Sequence, residues 1–144
     1  MSKPAAFWDS SALTPLFVDE PGSPWAGSLA REFSPVVWWA TAVEILSAIA
    51  RLRRTGKLDE LGRLSALDHL RAMRSVWDEV APSDTVRDQT EQLLDLYPLR
   101  AADGLQLAAA LVWCRNRPRG RTFITADARL AQAATQAGFS VLSP

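Results

Sequence analysis

The sequence predicts an α/β sandwich of three layers: a central, mainly parallel sheet with helices on both faces. Three observations lead there. Short apolar runs alternate with longer amphipathic ones along the chain, the order expected of βαβ units. The short runs read as buried strands, which suits a sheet covered on both sides. At 144 residues the chain has room for one sizeable core, so residues 1–144 form a single domain.

Ala5 to Trp8 is the first strand, stopped by Asp9. Ser10 to Val18 supplies one or two helical turns, and Pro21-Gly22-Ser23-Pro24 is a loop by its turn chemistry. Pro35 to Trp39, short and rich in β-branched and aromatic residues, is the second strand. Thr41 opens a helix in which Val43, Leu46, Ile49, Ala50 and Leu52 recur at helical spacing, ending near Thr55-Gly56. A second amphipathic helix runs from Lys57 to about Arg74, with Leu61, Leu64, Leu67 and Leu70 as its stripe. Ser75 to Ala81 is a third strand ended by Pro82. Ser83 caps a helix through Leu96, and Pro98 breaks it. Leu99 to about Arg115 is a strongly apolar helix, followed by the loop Asn116 to Gly120. Arg121 to Thr125 is a strand, Ala128 to Ala137 a helix stopped by Gly138, and Phe139 to Leu142 the last strand.

Composition narrows the function classes. Apolar residues make up 48% and charged residues 22%, which excludes general disorder. Sixteen basic and sixteen acidic side chains cancel, so nucleic acid cannot be held by bulk positive charge and needs local patches or a bound cation. One cysteine, Cys114, cannot form an internal disulfide. The opening residues lack the apolar stretch of a signal peptide, and no apolar run is long enough to span a membrane. The expected compartment is cytoplasmic, with no membrane partner.

Three acids follow strands: Asp9 after the first, Glu44 in the first helical turn after the second, and Asp127 after Phe123-Ile124-Thr125. In open α/β sheets ligands gather beyond the carboxyl ends of the strands, so these acids converge on one rim. Asp103 interrupts an otherwise apolar helix, where an acid near the buried face needs a partner. Each acid has a plain structural role available. Asp9 and Asp127 suit N-caps, Thr41-Ala42-Val43-Glu44 has capping-box spacing, and Asp103 lies three residues from Arg100. Together they suggest more. Two carboxylates about 4 Å apart repel by roughly 4 kcal/mol at an effective dielectric near 20, so a cluster takes up protons or recruits a cation. His69 and Cys114 sit in other helices, and oxygen-only ligands select Mg²⁺ or Mn²⁺ over zinc. Such an ion suits phosphate esters, because it polarises a phosphoryl oxygen. The hydroxyls of Ser11, Thr41 and Thr125 stand beside the acids, where they can orient a carboxylate or bind a substrate phosphate.

Asp9-Ser10-Ser11-Ala12-Leu13 followed by Glu20-Pro21-Gly22-Ser23 resembles the opening of PIN-domain proteins. Thr41-Ala42-Val43-Glu44, Leu99 to Ala108 and Thr125-Ala126-Asp127 resemble the later motifs of that family, in order, and the match spans residues 5–142. Length and the lack of added domains resemble the VapC-type toxins of bacterial toxin–antitoxin pairs. The resemblance implies a PIN-like fold and a metal-dependent endoribonuclease. It implies that Asp9, Glu44, Asp103 and Asp127 form an acidic quartet for one or two Mg²⁺ or Mn²⁺ ions, with Asp9 and Asp103 as main ligands and Asp127 the most replaceable. It also implies an RNA substrate, a homodimer and a cognate antitoxin that covers the acidic pocket. The lysine that often follows the Ser-Ala-Leu segment in the family is replaced here by Thr14-Pro15-Leu16.

Two other classes compete. A catalytically silent PIN-like module that binds RNA or protein would keep the fold and bind Mn²⁺ weakly. A phosphoacceptor receiver domain also gathers acids at strand ends but needs a lysine after a late strand, and the only lysines are Lys3 and Lys57. Arg115, Arg117, Arg119 and Arg121 alternate across a loop read as solvated, and Arg51, Arg53 and Arg54 suit the negative end of their helix. Most of the six tryptophans are expected in the core or in contacts between subunits; His69 is expected on a helix surface and Cys114 in the core.

Overall fold

The computed structural model describes residues 2–144. Five strands, β1 (Ala5–Trp8), β2 (Ser34–Trp38), β3 (Asp78–Val80), β4 (Thr122–Ile124) and β5 (Ser140–Leu142), form one sheet in the order β3-β2-β1-β4-β5. Every pairing is parallel. Helices α1 (Ser10–Leu13), α2 (Ser23–Glu32), α3 (Thr41–Arg54), α4 (Glu60–Arg74), α5 (Asp84–Leu96), α6 (Ala101–Trp113) and α7 (Ala128–Ala137) cover it, with a 3₁₀ turn at Thr14–Leu16. No helix among the described residues is long and apolar enough to cross a membrane.

The strand pleat divides the interior. On β1, Phe7 faces one side with Val36, Trp38 and Phe123, packed by α5, α6 and α7 through Leu93, Leu107, Leu111 and Leu130. Ala6 and Trp8 face the other with Val37 and Ile124, packed by α1, α3 and α4 through Leu13, Ile45, Ile49 and Leu70. Each face thus has its own apolar layer, and the three-layer sandwich read from the sequence is the observed one. The chain winds from central β1 out to β3 and returns to β4, so the topological switch lies between β1 and β4.

Three local expectations are corrected. The loop at Pro21 to Pro24 is shorter than expected, since α2 starts at Ser23 with proline in its first turn, where a missing N–H is harmless. On α3 the inward residues are Ala42, Ile45 and Ile49, while Val43 and Leu46 face solvent. On α4, Ala66 and Leu70 are buried, whereas Leu61 and Leu64 are exposed. Both helices carry apolar residues on more than one face, and the stripe that packs with Trp8 and Val37 is the buried one.

Gly138 ends α7 with φ +113°, its amide donating to the carbonyls of Ala134 and Thr135. An added Cβ would lie 3.0 Å from the Pro118 ring in a backbone conformation that L side chains rarely adopt. Gly138→Ala is expected to destabilise the protein by about 1–2 kcal/mol. Thermal melting checks it; an unchanged melting temperature would show that this cap relaxes freely.

Candidate functional site

The site begins with backbone. Beyond β1 the Asp9 amide donates to the Ile124 carbonyl (3.1 Å), so β1 and β4 deliver their following residues side by side. Asp9 is the N-cap of α1: its carboxylate accepts from the Ser11 amide (3.2 Å) and the Ser11 hydroxyl (2.8 Å). Ser11 Oγ lies 3.3 Å from Thr125 Oγ1 and accepts from the Ala126 amide (3.0 Å). Thr125 Oγ1 in turn accepts from the Asp127 amide (3.0 Å), and Asp127 caps α7 by accepting from the Leu130 amide (3.0 Å). The plain capping role foreseen for Asp9 and Asp127 is therefore real, and it fixes both acids on the rim.

Glu44 arrives from α3. Its two oxygens accept from the Ser10 hydroxyl (2.8 Å) and the Gln106 amide nitrogen (2.9 Å). The same Gln106 nitrogen donates to Thr41 Oγ1 (3.1 Å). The capping box at Thr41 does not form. The N-cap is Ala40, without a side-chain cap, and Thr41 lies inside the helix with its hydroxyl turned to the core. Thr41 and Thr125 are fully buried, and their hydroxyls meet Gln106 in the one case and Ser11 and Asp9 in the other rather than solvent. Only Ser11, of the three hydroxyl residues, keeps partial exposure.

Asp103 stands in the first turn of α6, half-buried. It makes no ion pair with Arg100; the acids in side-chain ion pairs among the described residues are Glu60, Asp68 and Asp84.

The four acids form an electrostatic chain. Burial pushes the Asp9 carboxyl up to about 6, against the hydrogen bonds of Thr125 and Ser11, and the Glu44 charge adds to the rise. Burial raises Glu44, with a further push from Asp103. Burial raises Asp103 as well, and Asp127 adds to it, while Arg100 and Arg129 act in the opposite direction. Asp9 is 3% exposed and has no cationic partner among the described residues.

The donor chemistry fits a hard divalent cation, since every candidate ligand is oxygen. Among the described residues no three carboxylate, imidazole or thiol groups are gathered tightly enough to enclose an ion. Mg²⁺ characteristically takes one or two carboxylates and keeps several waters, so a donor set of this kind fits it without such a cage.

Sequence reasoning missed Ser10 and Gln106, which hold Glu44 from two sides. For Gln106 a signal existed: an amide within the apolar run Leu105 to Leu111 needs a partner as much as Asp103 does. Exposed His69 and buried Cys114 lie where expected, and Arg121 stacks over Trp113 at 5.3 Å. Five of the six tryptophans are buried or half-buried; Trp39 is exposed.

No family model matches the chain, and no curated protein matches it in sequence. Solved structures do match. A chain of a toxin–antitoxin complex from Klebsiella pneumoniae superposes with a TM-score of 0.60 at 17% identity, over 85% of this chain and 87% of that one. PAE2754 from Pyrobaculum aerophilum gives a TM-score of 0.63 at 16% identity, over 97% and 89%. At such identities the likeness is one of architecture: the chain shares the α/β fold of these two structures, built here on a five-stranded parallel sheet.

Proposed function

We propose that the acidic rim binds Mg²⁺ or Mn²⁺ and that the protein is an endoribonuclease hydrolysing RNA phosphodiester bonds, the toxin of a toxin–antitoxin pair of the VapC type. The observation that carries this reading is Asp9, a carboxylate almost wholly removed from water with no cation beside it and Glu44 as its charged neighbour. A cap alone needs no such group; Asn or Ser would cap α1 without the penalty of a buried charge. Asp9, Glu44, Asp103 and Asp127 would hold the ion, which when bound supplies Lewis-acid polarisation of a phosphoryl oxygen. The chain's own work is positioning. Ser11 and Thr125 hold the Asp9 carboxylate, and Ser10 with Gln106 holds Glu44 in one orientation. The same reading brings a homodimer and an antitoxin protein that covers the acidic pocket; the Klebsiella structure is a toxin–antitoxin complex.

A second reading, a catalytically silent PIN-like module that binds RNA or protein, is favoured by the lack of three gathered ligand groups. It asks only for the fold, which is present, and on that criterion alone it fits better than catalysis. Cleavage separates the two. Purified protein is incubated with a mixed cellular RNA pool in Mn²⁺, Mg²⁺ or EDTA, beside Asp103→Asn. The nuclease reading expects cutting that requires metal and is lost in the variant. Folded protein that cuts nothing in the pool and does not bind the ion either would favour the silent module.

A further inference from the structure

Two clefts adjoin the acidic rim, one lined by Glu44 and the other by Asp103 and Asp127, and each carries arginine that makes no ion pair among the described residues. The first, of about 630 Å³, runs between α1 and α3 from Ser10 and Glu44 past Ser47 to Arg51. Glu44, Ala48 and Arg51 are one helical turn apart in succession, so α3 presents them along one face of this cleft. Glu20 also lines it, but Arg51 makes no ion pair among the described residues, unlike its neighbour Arg53, which is engaged with Glu60. The second cleft, of about 400 Å³, lies between the first turns of α6 and α7 and is lined by Arg100, Asp103, Asp127 and Arg129. Neither Arg100 nor Arg129 is ion-paired among the described residues, although both lower the Asp103 carboxyl by their charge. The N-terminal ends of two helices open into this cleft and add their partial positive charge.

Resting on the RNA reading above, we propose that a single-stranded RNA backbone crosses the rim from one cleft to the other. Arg51 grips phosphate on the α3 side, Arg100 and Arg129 grip it on the α6–α7 side, and the acids lie under the linkage between. The arrangement answers a problem set by composition. With zero net charge and an acidic centre, the protein has no general attraction for a polyanion, and cationic groups must flank the acids closely. Neither cleft is lined by an aromatic side chain, so bases have no stacking platform and recognition there falls on the backbone. The loop arginines Arg115, Arg117 and Arg119 line neither cleft and have no part in this track.

The test is fluorescence anisotropy with a short labelled single-stranded RNA in EDTA, which separates binding from metal loading and from cleavage. Arg51→Ala and the double variant Arg100→Ala/Arg129→Ala are each expected to weaken binding roughly fivefold or more, for all sequences alike. Each arginine removed should flatten the dependence of log affinity on log salt by about 0.7. An Arg117→Ala/Arg119→Ala control should leave affinity and slope unchanged. The proposal is overturned if the cleft variants bind as the wild type does, if the control alone loses binding, or if the wild type prefers duplex. It is also overturned if the wild type binds no RNA in low salt. Failure of the nuclease reading looks different: RNA is bound through both clefts, yet no metal condition yields cleavage.

Discussion

Asp9→Asn is expected to raise the melting temperature of the metal-free protein above pH 6 while abolishing Mn²⁺ binding. The folded protein holds the Asp9 proton more tightly than the unfolded chain does, with the carboxyl up to about 6 against 3.8. An acid shifted upward weakens the fold as it ionises. Its penalty is absent below about pH 4, grows as pH rises toward 6, and is fully present above that. The shift corresponds to about 3 kcal/mol, or roughly 8 °C in a domain of this size. Asparagine keeps the cap through its carbonyl, and the hydroxyls of Ser11 and Thr125 can turn to accept from its amide. Melting curves in EDTA between pH 4 and pH 8 check this: the wild type should lose clearly more stability across the window than the variant, in which only the raised carboxyls of Glu44 and Asp103 still ionise. A variant that melts several degrees lower at every pH would make Asp9 a structural cap and nothing more.

Gln106→Leu should produce the opposite dissociation, a large loss of ion affinity with little change in stability. The amide nitrogen of Gln106 is shared between Glu44 and Thr41, while its carbonyl oxygen is buried without a partner. Leucine removes the donor but also removes that orphaned oxygen, so the two effects on folding oppose each other. Glu44 then keeps only Ser10 as a side-chain donor and loses its fixed orientation. Removing a residue that orients a metal ligand typically lowers affinity about 10- to 100-fold. Mn²⁺ titration beside thermal melting reads both quantities. Unchanged affinity would exclude Glu44, or its orientation, from the ion site.

The parts of the fold legible in the sequence were those written by runs and breakers. Apolar runs at β1, β2 and β4, with Pro98, Gly138 and the polar loops, placed the centre of the sheet and brought Asp9, Glu44 and Asp127 to one rim. Helix faces were less legible. Both α3 and α4 carry apolar residues on more than one face, and only packing against Trp8 and Val37 decides between them. Helix α2 was hidden because Pro24 signals a loop as readily as a first helical turn. The capping-box spacing at Thr41 misled because local pattern says nothing of Gln106, sixty-five residues away, which draws the hydroxyl inward. Gln106 and Ser10 escaped for the same reason. Their importance lies in whom they meet across the fold, which spacing along one element does not encode.

Whether the acidic rim takes a divalent cation is decided by calorimetric titration of the metal-free protein with Mn²⁺ near pH 6. Running it in two buffers of different ionisation enthalpy also counts protons released. Saturable binding accompanied by proton release is the expected result, because the ion must displace the proton that Asp9 partly holds at that pH. Both signals should vanish in Asp9→Asn. Dilution heats alone up to millimolar Mn²⁺, or binding that survives Asp9→Asn unchanged, would contradict the account.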